Sequence, residues 1–252
     1  MKNILLSIQA AVFIILSGCA QQFKTDNDPI AEMARVNNYQ GMIFFYKEVL
    51  KMRPDDPGTL QKLAEVYYKS GDFESASFYV DHLQSKVKPN KALLALSGKI
   101  YDGRGDHHKA LSAFEESESL GNTSAELHVN KGVTLSKLGH YQKAESQFNH
   151  ARLKGYDDIV IKNNLAVIFL IQGQYQKVVD LLLPVYDKAI NNQALRVNLA
   201  IALIKIGNEK QATETLKGIY TERQLNVLLH QVRNMKQVQN ADKNQNMTGD
   251  RS

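Results

Sequence analysis

Five glycines recur along this chain at a fixed interval of 34 residues: Gly71, Gly105, Gly139, Gly173 and Gly207. An interval of this size is typical of helical repeats, in which each unit is a helix–turn–helix that contacts only its neighbours. Glycine suits the turn because it enters the left-handed backbone region without steric cost. The interval therefore predicts an all-α solenoid of antiparallel helix pairs.

Two columns of small residues keep the same interval on either side of the glycines. The first, seven residues before each glycine, contains Ala64, Gly98, Gly132, Ala166 and Ala200. The second, five residues after each glycine, contains Ala76, Ala110, Ala144, Val178 and Ala212. Small side chains allow a close approach of two helices, so we expect both columns to mark the contact within a unit.

These columns divide the chain into repeat units. Five full units are predicted at about 57–90, 91–124, 125–158, 159–192 and 193–226, within a solenoid of residues 28–226. A degenerate unit at about 23–56 precedes them, with Asn37 in the glycine column. Pro184 predicts a break at Leu183 in the second helix of unit four.

The interval stops after residue 226, where a different organisation is expected. A capping helix is predicted at 227–239, because the open end of a solenoid requires a cover. Residues 240–252 are rich in Asn, Gln, Asp and Lys, which predicts a disordered tail.

The N-terminus has the pattern of a secretory leader. Lys2 precedes a mostly apolar run from Ile4 to Leu16, which is too short to predict a membrane-spanning helix. The run ends in Leu16-Ser17-Gly18-Cys19, which contains the one cysteine of the chain.

This ending resembles the lipobox of bacterial lipoproteins. The resemblance implies removal of a signal peptide at 1–18, lipidation of Cys19 and a lipidated tether at 19–27. Ala20 stands where lipoproteins retained in the inner membrane often carry Asp, so the resemblance implies a lipid anchor in the outer membrane, on its periplasmic face. An ordinary secretory leader with a chance cysteine is the alternative.

Composition and motifs argue against several function classes. The formal net charge is +5, but Lys and Arg are scattered and form no stripe, so no nucleic-acid partner is predicted. The sequence has no glycine-rich phosphate loop, no nucleophile elbow and no histidine pair with zinc-ligand spacing. We therefore predict no enzymatic activity, no catalytic residue, no metal and no cofactor, and we interpret the histidines as surface residues.

The interval and its columns resemble those of tetratricopeptide (TPR) repeats, which stack into a right-handed superhelix. In that family the first helix of each unit lines a concave groove. By resemblance, an apolar strip lines the groove in units four and five: Val160, Asn163, Val167, Leu170, Ala194, Val197, Ile201 and Ile204. The equivalent positions in units one and two are polar: Gln61, Glu65, Tyr68, Lys99 and Asp102.

Two further features of this groove follow from the resemblance. Asn164 and Asn198 stand 34 residues apart and are predicted to hold a peptide backbone, as an Asn at this place does in some TPR grooves. Two occupants of the apolar strip stay open: a segment of a partner protein, or the capping helix folded back over the strip.

A series of motifs in units four and five resembles the C-terminal half of TadD-type proteins, the TPR lipoproteins of tight-adherence (Flp) pilus systems: Asn163-Asn164-Leu165-Ala166, Gly173-Gln174-Tyr175, Leu181-Leu182-Leu183-Pro184 and Arg196-Val197-Asn198-Leu199-Ala200. The resemblance implies a scaffold for assembly or secretion of Flp (type IVb) pili, with adherence and biofilm formation as consequences. Its implied partners are protein components of the pilus machine, such as a secretin or other Tad proteins. The alternatives are a pilotin-like lipoprotein for secretin assembly and a regulatory subunit of a periplasmic cell-wall enzyme.

Overall fold

The computed structural model describes residues 28–234, and within that range the chain forms thirteen α-helices and no strand. The first helices of the six units are α1 Pro29–Arg35, α3 Pro57–Ser70, α5 Lys91–Arg104, α7 Ala125–Lys137, α9 Asp158–Ile171 and α11 Gln193–Lys205. The second helices are α2 Tyr39–Met52, α4 Phe73–Lys86, α6 His107–Ser119, α8 Tyr141–Leu153, α10 Tyr175–Leu182 and α12 Glu209–Leu216. Each helix packs on the next, so the predicted all-α solenoid is confirmed.

The five glycines of the 34-residue interval, which we call the glycine ladder, form the turns between the two helices of the full units. Its five glycines have φ values between 71° and 89°, the left-handed region, and Asn37 has φ 54° at the equivalent place in the degenerate unit. At the first turn, the N–H of Gly71 donates to the carbonyl oxygen of Tyr68 at 3.1 Å. The ladder therefore ends each first helix and reverses the chain.

Aspartates follow the first two ladder glycines at the N-cap position of the second helix. Asp72 accepts a hydrogen bond from the N–H of Ser75 at 3.0 Å, as expected for a cap, and this bond lowers the pKa of the Asp72 carboxyl. Asp106 makes no such side-chain bond to α6. Its carboxylate lies instead 3.5 Å from the Arg104 guanidinium, which is a charged partner.

Within each unit, the small residue of the first helix matches the side chain that faces it. A Cβ on Gly98 would lie 2.4 Å from the ring of Phe114, and one on Gly132 would lie 2.6 Å from the ring of Phe148. Phe114 and Phe148 stand nine residues after their turn glycines. The other three units place Ala opposite this position, and the position then holds side chains smaller than Phe: Val80, Leu182 and Leu216. All of these residues are buried, so the packing is close in every unit.

The second helices of units four and five are shorter than those of the earlier units. Helix α10 ends at Leu182, and 3-10 turns follow at Leu183–Val185 and Asp187–Ala189. The break predicted before Pro184 is therefore confirmed. Helix α12 is also only eight residues long.

A single arginine satisfies the end of the short helix α12. The guanidinium of Arg196 donates to the carbonyl oxygens of Thr215 at 2.8 Å and Lys217 at 2.6 Å. These carbonyls would otherwise lack partners, because the last turn of a helix leaves its acceptors free.

The last described helix, α13 Glu222–Asn234, covers the end of the solenoid. It starts before position 227 because Thr221 and Gln224 form a capping box, in which the N–H of Thr221 donates to Oε1 of Gln224 at 2.9 Å. Helix α13 packs on α11 and α12, and Arg233 pairs with Glu209 at 2.6 Å. Several predicted segments lie outside the described residues: the leader, Cys19, the tether up to residue 27, positions 235–239 of the capping helix and the tail.

No helix within residues 28–234 is sufficiently long and apolar to cross a membrane.

Candidate peptide-binding groove

The first helices of the full units stand side by side and form one continuous surface. Helix α3 packs on α5, α5 on α7, α7 on α9 and α9 on α11. The groove positions predicted from the sequence lie on these helices. We call this surface the groove.

The early half of the groove is polar, and its charged side chains pair with one another. Lys99 Nζ lies 3.2 Å from Glu126 Oε1 and 6.0 Å from the ring centre of Tyr68. Gln61 donates to Glu65 at 3.0 Å. These contacts join neighbouring side chains and leave fewer free donors for a ligand.

Asp102 is the centre of this polar half. Its carboxylate accepts from Lys137 Nζ at 2.6 Å and from Thr134 Oγ1 at 3.0 Å, and both partners lie on the next first helix. Nδ1 of His107 lies 3.0 Å from the same carboxylate. Because Thr134 is fully buried, this network fixes α5 against α7.

The late half of the groove exposes apolar side chains. Val160 is 37% exposed and Val167 is 38% exposed on α9, while Leu170, Val197 and Ile201 are half-buried. Ala194 is exposed at the start of α11. These residues form an apolar surface that the rest of the protein covers only in part.

Ile204 does not line the groove. It is only 4% exposed and belongs to the hydrophobic cluster that also includes Leu225, Leu228 and Leu229 of α13. The expectation for this residue is corrected because α13 packs on α11 and adds the side chains that bury it. The capping helix therefore covers one end of the predicted strip.

An amide pair connects α9 and α11, the two helices that carry the apolar surface. Nδ2 of Asn198 donates to Oδ1 of Asn163 at 2.9 Å, which connects α11 to α9. The predicted role of Asn164 and Asn198 in holding a peptide backbone stays a prediction, and this bond occupies the amide N–H of Asn198. Asn164 lies beside this pair and is half-buried.

Two buried polar groups were missed by the sequence analysis. His128 is 6% exposed and its Nδ1 lies 2.8 Å from Gln147 Oε1, so the interpretation of all histidines as surface residues is wrong. Lys131 is equally buried and pairs with Glu118 at 2.5 Å. The repeat columns contain a signal for His128, because Leu60 and Leu94 occupy its position in the preceding units and are buried.

Among the described side chains, no group of three or more His, Cys, Asp or Glu residues has an arrangement that could hold a metal ion. What the groove offers is an apolar surface of exposed valines next to half-buried amides. Such a surface is suited to an apolar side chain flanked by a polar backbone.

Comparisons with known proteins agree with this architecture. Residues 125–151, within unit three, match the tetratricopeptide repeat family. A search of curated proteins found no match.

Several solved structures have a similar fold. PilW, described as a widely conserved type IV pilus biogenesis factor, is 17% identical with a TM-score of 0.66, covering 79% of this chain and 94% of PilW. A tetratricopeptide repeat protein from Parabacteroides merdae is 17% identical with a TM-score of 0.64, and the match covers 80% of each chain. YrrB, a TPR protein described as having an unusual peptide-binding site, is 15% identical with a TM-score of 0.53, covering 74% of this chain and 97% of YrrB. The helix order, the matched repeat and these likenesses together identify the fold as a tetratricopeptide-repeat solenoid.

Proposed function

We propose that this chain is a lipid-anchored TPR scaffold of the outer membrane that holds a segment of a partner protein during assembly or secretion of Flp (tight-adherence) pili. TPR solenoids mediate protein–protein interactions, and the observation that carries the proposal is the apolar late half of the groove. Val160 and Val167 are exposed there, whereas Leu170, Val197 and Ile201 are half-buried. Apolar surface on a structured face is typical of an interaction site.

The partner is proposed to be a component of a pilus machine. The motifs of units four and five support this, because they resemble those of TadD-type lipoproteins. The likeness to PilW is one of fold, and it adds that a solenoid of this kind occurs among pilus biogenesis factors.

In the proposed mechanism, the early half of the groove stabilises the scaffold and the late half binds the partner. The network around Asp102 holds units two and three in one arrangement, so the scaffold keeps its curvature when loaded. The late half then contacts the partner through Val160, Val167 and Leu170. Binding to a preformed surface costs less conformational entropy than binding that must first order the receptor.

Replacement of Val167, Leu170 and Ile201 by Asp tests the groove. We expect loss of co-purification with the secretin and other pilus proteins from cells that express the pilus operon, because a buried carboxylate opposes an apolar contact. A matched pair of single variants, Val167→Asp and Leu153→Asp, places the same charge inside the groove and on an exposed apolar residue of α8 outside it. Circular dichroism verifies that the helices persist, and unchanged co-purification of the triple variant would remove the groove from the proposal.

The anchor is tested separately at Cys19. We expect the full chain to incorporate labelled palmitate in cells and to fractionate with the outer membrane, and we expect Cys19→Ser to abolish the label. A chain that carries no label while the leader is still removed would support an ordinary secretory signal instead.

A pilotin-like role is the second candidate, favoured by the fold likeness to a type IV pilus biogenesis factor. Deletion of the gene distinguishes the two roles. Loss of secretin multimers from the outer membrane would indicate the pilotin-like role, whereas normal multimers without surface pili would indicate a different step of Flp assembly.

A further inference from the structure

One column on the outer face of the second helices changes in character along the solenoid. Seven residues after each turn residue, the units carry Phe44, Phe78, Ser112, Ser146, Asp180 and Glu214. All six are exposed. We call this set the outer column; it is aromatic in the first two units, neutral in the middle and acidic at the far end.

The outer column points away from the groove. In α4, the buried residues Ala76, Val80 and Leu83 face the first helices, and Phe78 lies between them on the opposite side of the helix. Phe78 is 66% exposed and Phe44 is 67% exposed, so neither ring is required by the core.

The degenerate unit exposes further apolar side chains. Phe45 is also exposed, and its ring meets that of Tyr46 edge-to-face, with centroids 5.5 Å apart. Val36 and Met52 are exposed in the same degenerate unit. All the exposed phenylalanines among the described residues lie in the degenerate unit and unit one, which makes this end of the molecule distinct from the rest.

The position of this surface points to a lipid bilayer as its partner. Cys19 stands nine residues before Asp28, the first described residue. A fully extended tether of that length spans about 30 Å, so a lipid on Cys19 would keep the degenerate unit close to the membrane surface. Aromatic rings and apolar side chains on a helix face are suited to the boundary between headgroups and acyl chains.

Net charge does not attract this end of the molecule to a membrane. Residues 28–90, which form the degenerate unit and unit one, contain eight Lys and Arg against nine Asp and Glu. Contact with lipid must therefore be apolar, and a zwitterionic bilayer suffices. At the other end, Asp180 and Glu214 disfavour burial in the same boundary.

We propose that Phe44 and Phe78 insert into the membrane interface beside the anchor, so that the outer face of the first two units lies on the bilayer and the groove faces away from it. The inference rests on the lipid anchor of the proposed function. It adds an orientation, because a lipid on a nine-residue tether would by itself leave the solenoid free to rotate.

Tryptophan reporters test this contact. The chain contains no Trp and its one Cys is Cys19, so the mature chain can be coupled through Cys19 to a maleimide lipid in zwitterionic vesicles. Phe44→Trp and Phe78→Trp provide single emitters in the proposed contact, and Ser112→Trp and Ser146→Trp are matched controls in the same outer column. With lipids brominated near the headgroup, we expect quenching of about twofold or more for the two Phe sites and little quenching for the controls.

Chemical coupling separates this inference from natural lipidation. Quenching at Phe44→Trp supports the membrane contact even if cells fail to add palmitate to Cys19, a result that would overturn only the anchor. Equal, weak quenching at all four sites overturns the contact. A concentration-dependent blue shift of Phe44→Trp without vesicles also overturns it, because a second copy of the chain would then cover the surface.

Discussion

Units one to three and units four and five follow the same 34-residue interval, yet they are joined in different ways. The second helices α4, α6 and α8 have 13 or 14 residues, whereas α10 and α12 have eight. Units two and three are linked by a polar network around the buried Thr134 hydroxyl, whereas units four and five are linked by an amide pair and by a contact of Arg196 with the carbonyl oxygen of Ile190. The 34-residue interval therefore determines where the turns lie, whereas the side chains between the turns determine which contacts form at each boundary between units.

The largest expected loss of stability concerns the contact between a glycine of the first helix and a phenylalanine of the second. Only units two and three contain this contact, which we call the Gly–Phe layer. In Gly98→Ala, the new Cβ would collide with the Phe114 ring, and we expect a loss of about 2–3 kcal/mol in the free energy of unfolding. The added helix propensity, about 1 kcal/mol, is too small to offset this. Urea unfolding followed by circular dichroism measures the change.

A second substitution makes that test specific. Phe114→Leu added to Gly98→Ala copies the pair formed by Ala166 and Leu182 in unit four, so most of the lost stability should return. If the double variant is as unstable as the single one, the layers are not interchangeable and size matching is not the cause.

An intermediate effect is expected at the two unit boundaries. Asp102→Ala leaves the buried hydroxyl of Thr134 without its acceptor, and we expect a loss of about 2 kcal/mol in the free energy of unfolding. Asn198→Ala removes a half-buried amide pair and should cost about 0.5–1 kcal/mol. Equal losses, measured by thermal and urea unfolding, would contradict the contrast between a polar and an apolar boundary.

The smallest effect is expected at the first cap. Asp72→Ala removes an exposed bond to the N–H of Ser75 and should lower the free energy of unfolding by about 0.5 kcal/mol. Asp106→Ala is the matched control, because this aspartate begins α6 without a side-chain capping bond. A greater loss in the control would show that the ion pair with Arg104 matters more than the cap.

The cap also predicts a pH dependence. The hydrogen bonds from Ser75 lower the pKa of Asp72 in the folded chain below its unfolded value of about 4. Its contribution is therefore complete above that value and is lost as the pH falls through the folded pKa. The stability difference between the wild-type chain and Asp72→Ala should shrink in acid, and a difference independent of pH would exclude the ionised carboxylate as its source.

The turns and the helix pairs could be predicted from the sequence because they depend on local chemistry. Glycine and Asn37 allow the left-handed backbone, and Pro184 removes a helix donor. The sequence pairs Gly with Phe and Ala with Val or Leu, but the reason required the structure, because a Cβ on Gly98 would lie 2.4 Å from the Phe114 ring.

The details of the groove depend on contacts between distant parts of the chain. Ile204 has the spacing of a groove residue, but a helix outside the repeat interval buries it. Asn198 donates a hydrogen bond to Asn163 of the preceding unit, a contact between units that the 34-residue interval does not predict. His128 is polar yet buried, since Gln147 on the second helix supplies its hydrogen bond.

The Gly–Phe pairs have a consequence for how such a chain can change by gene duplication. Gly98 and Phe114 belong to one unit, as do Gly132 and Phe148, so a duplicated unit would carry both halves of its own packing. Asp102 and its partners Thr134 and Lys137 belong to two units. A recombination point between units two and three would separate them and leave the buried hydroxyl of Thr134 without its acceptor, so we expect insertion of a new unit at this boundary to lower stability.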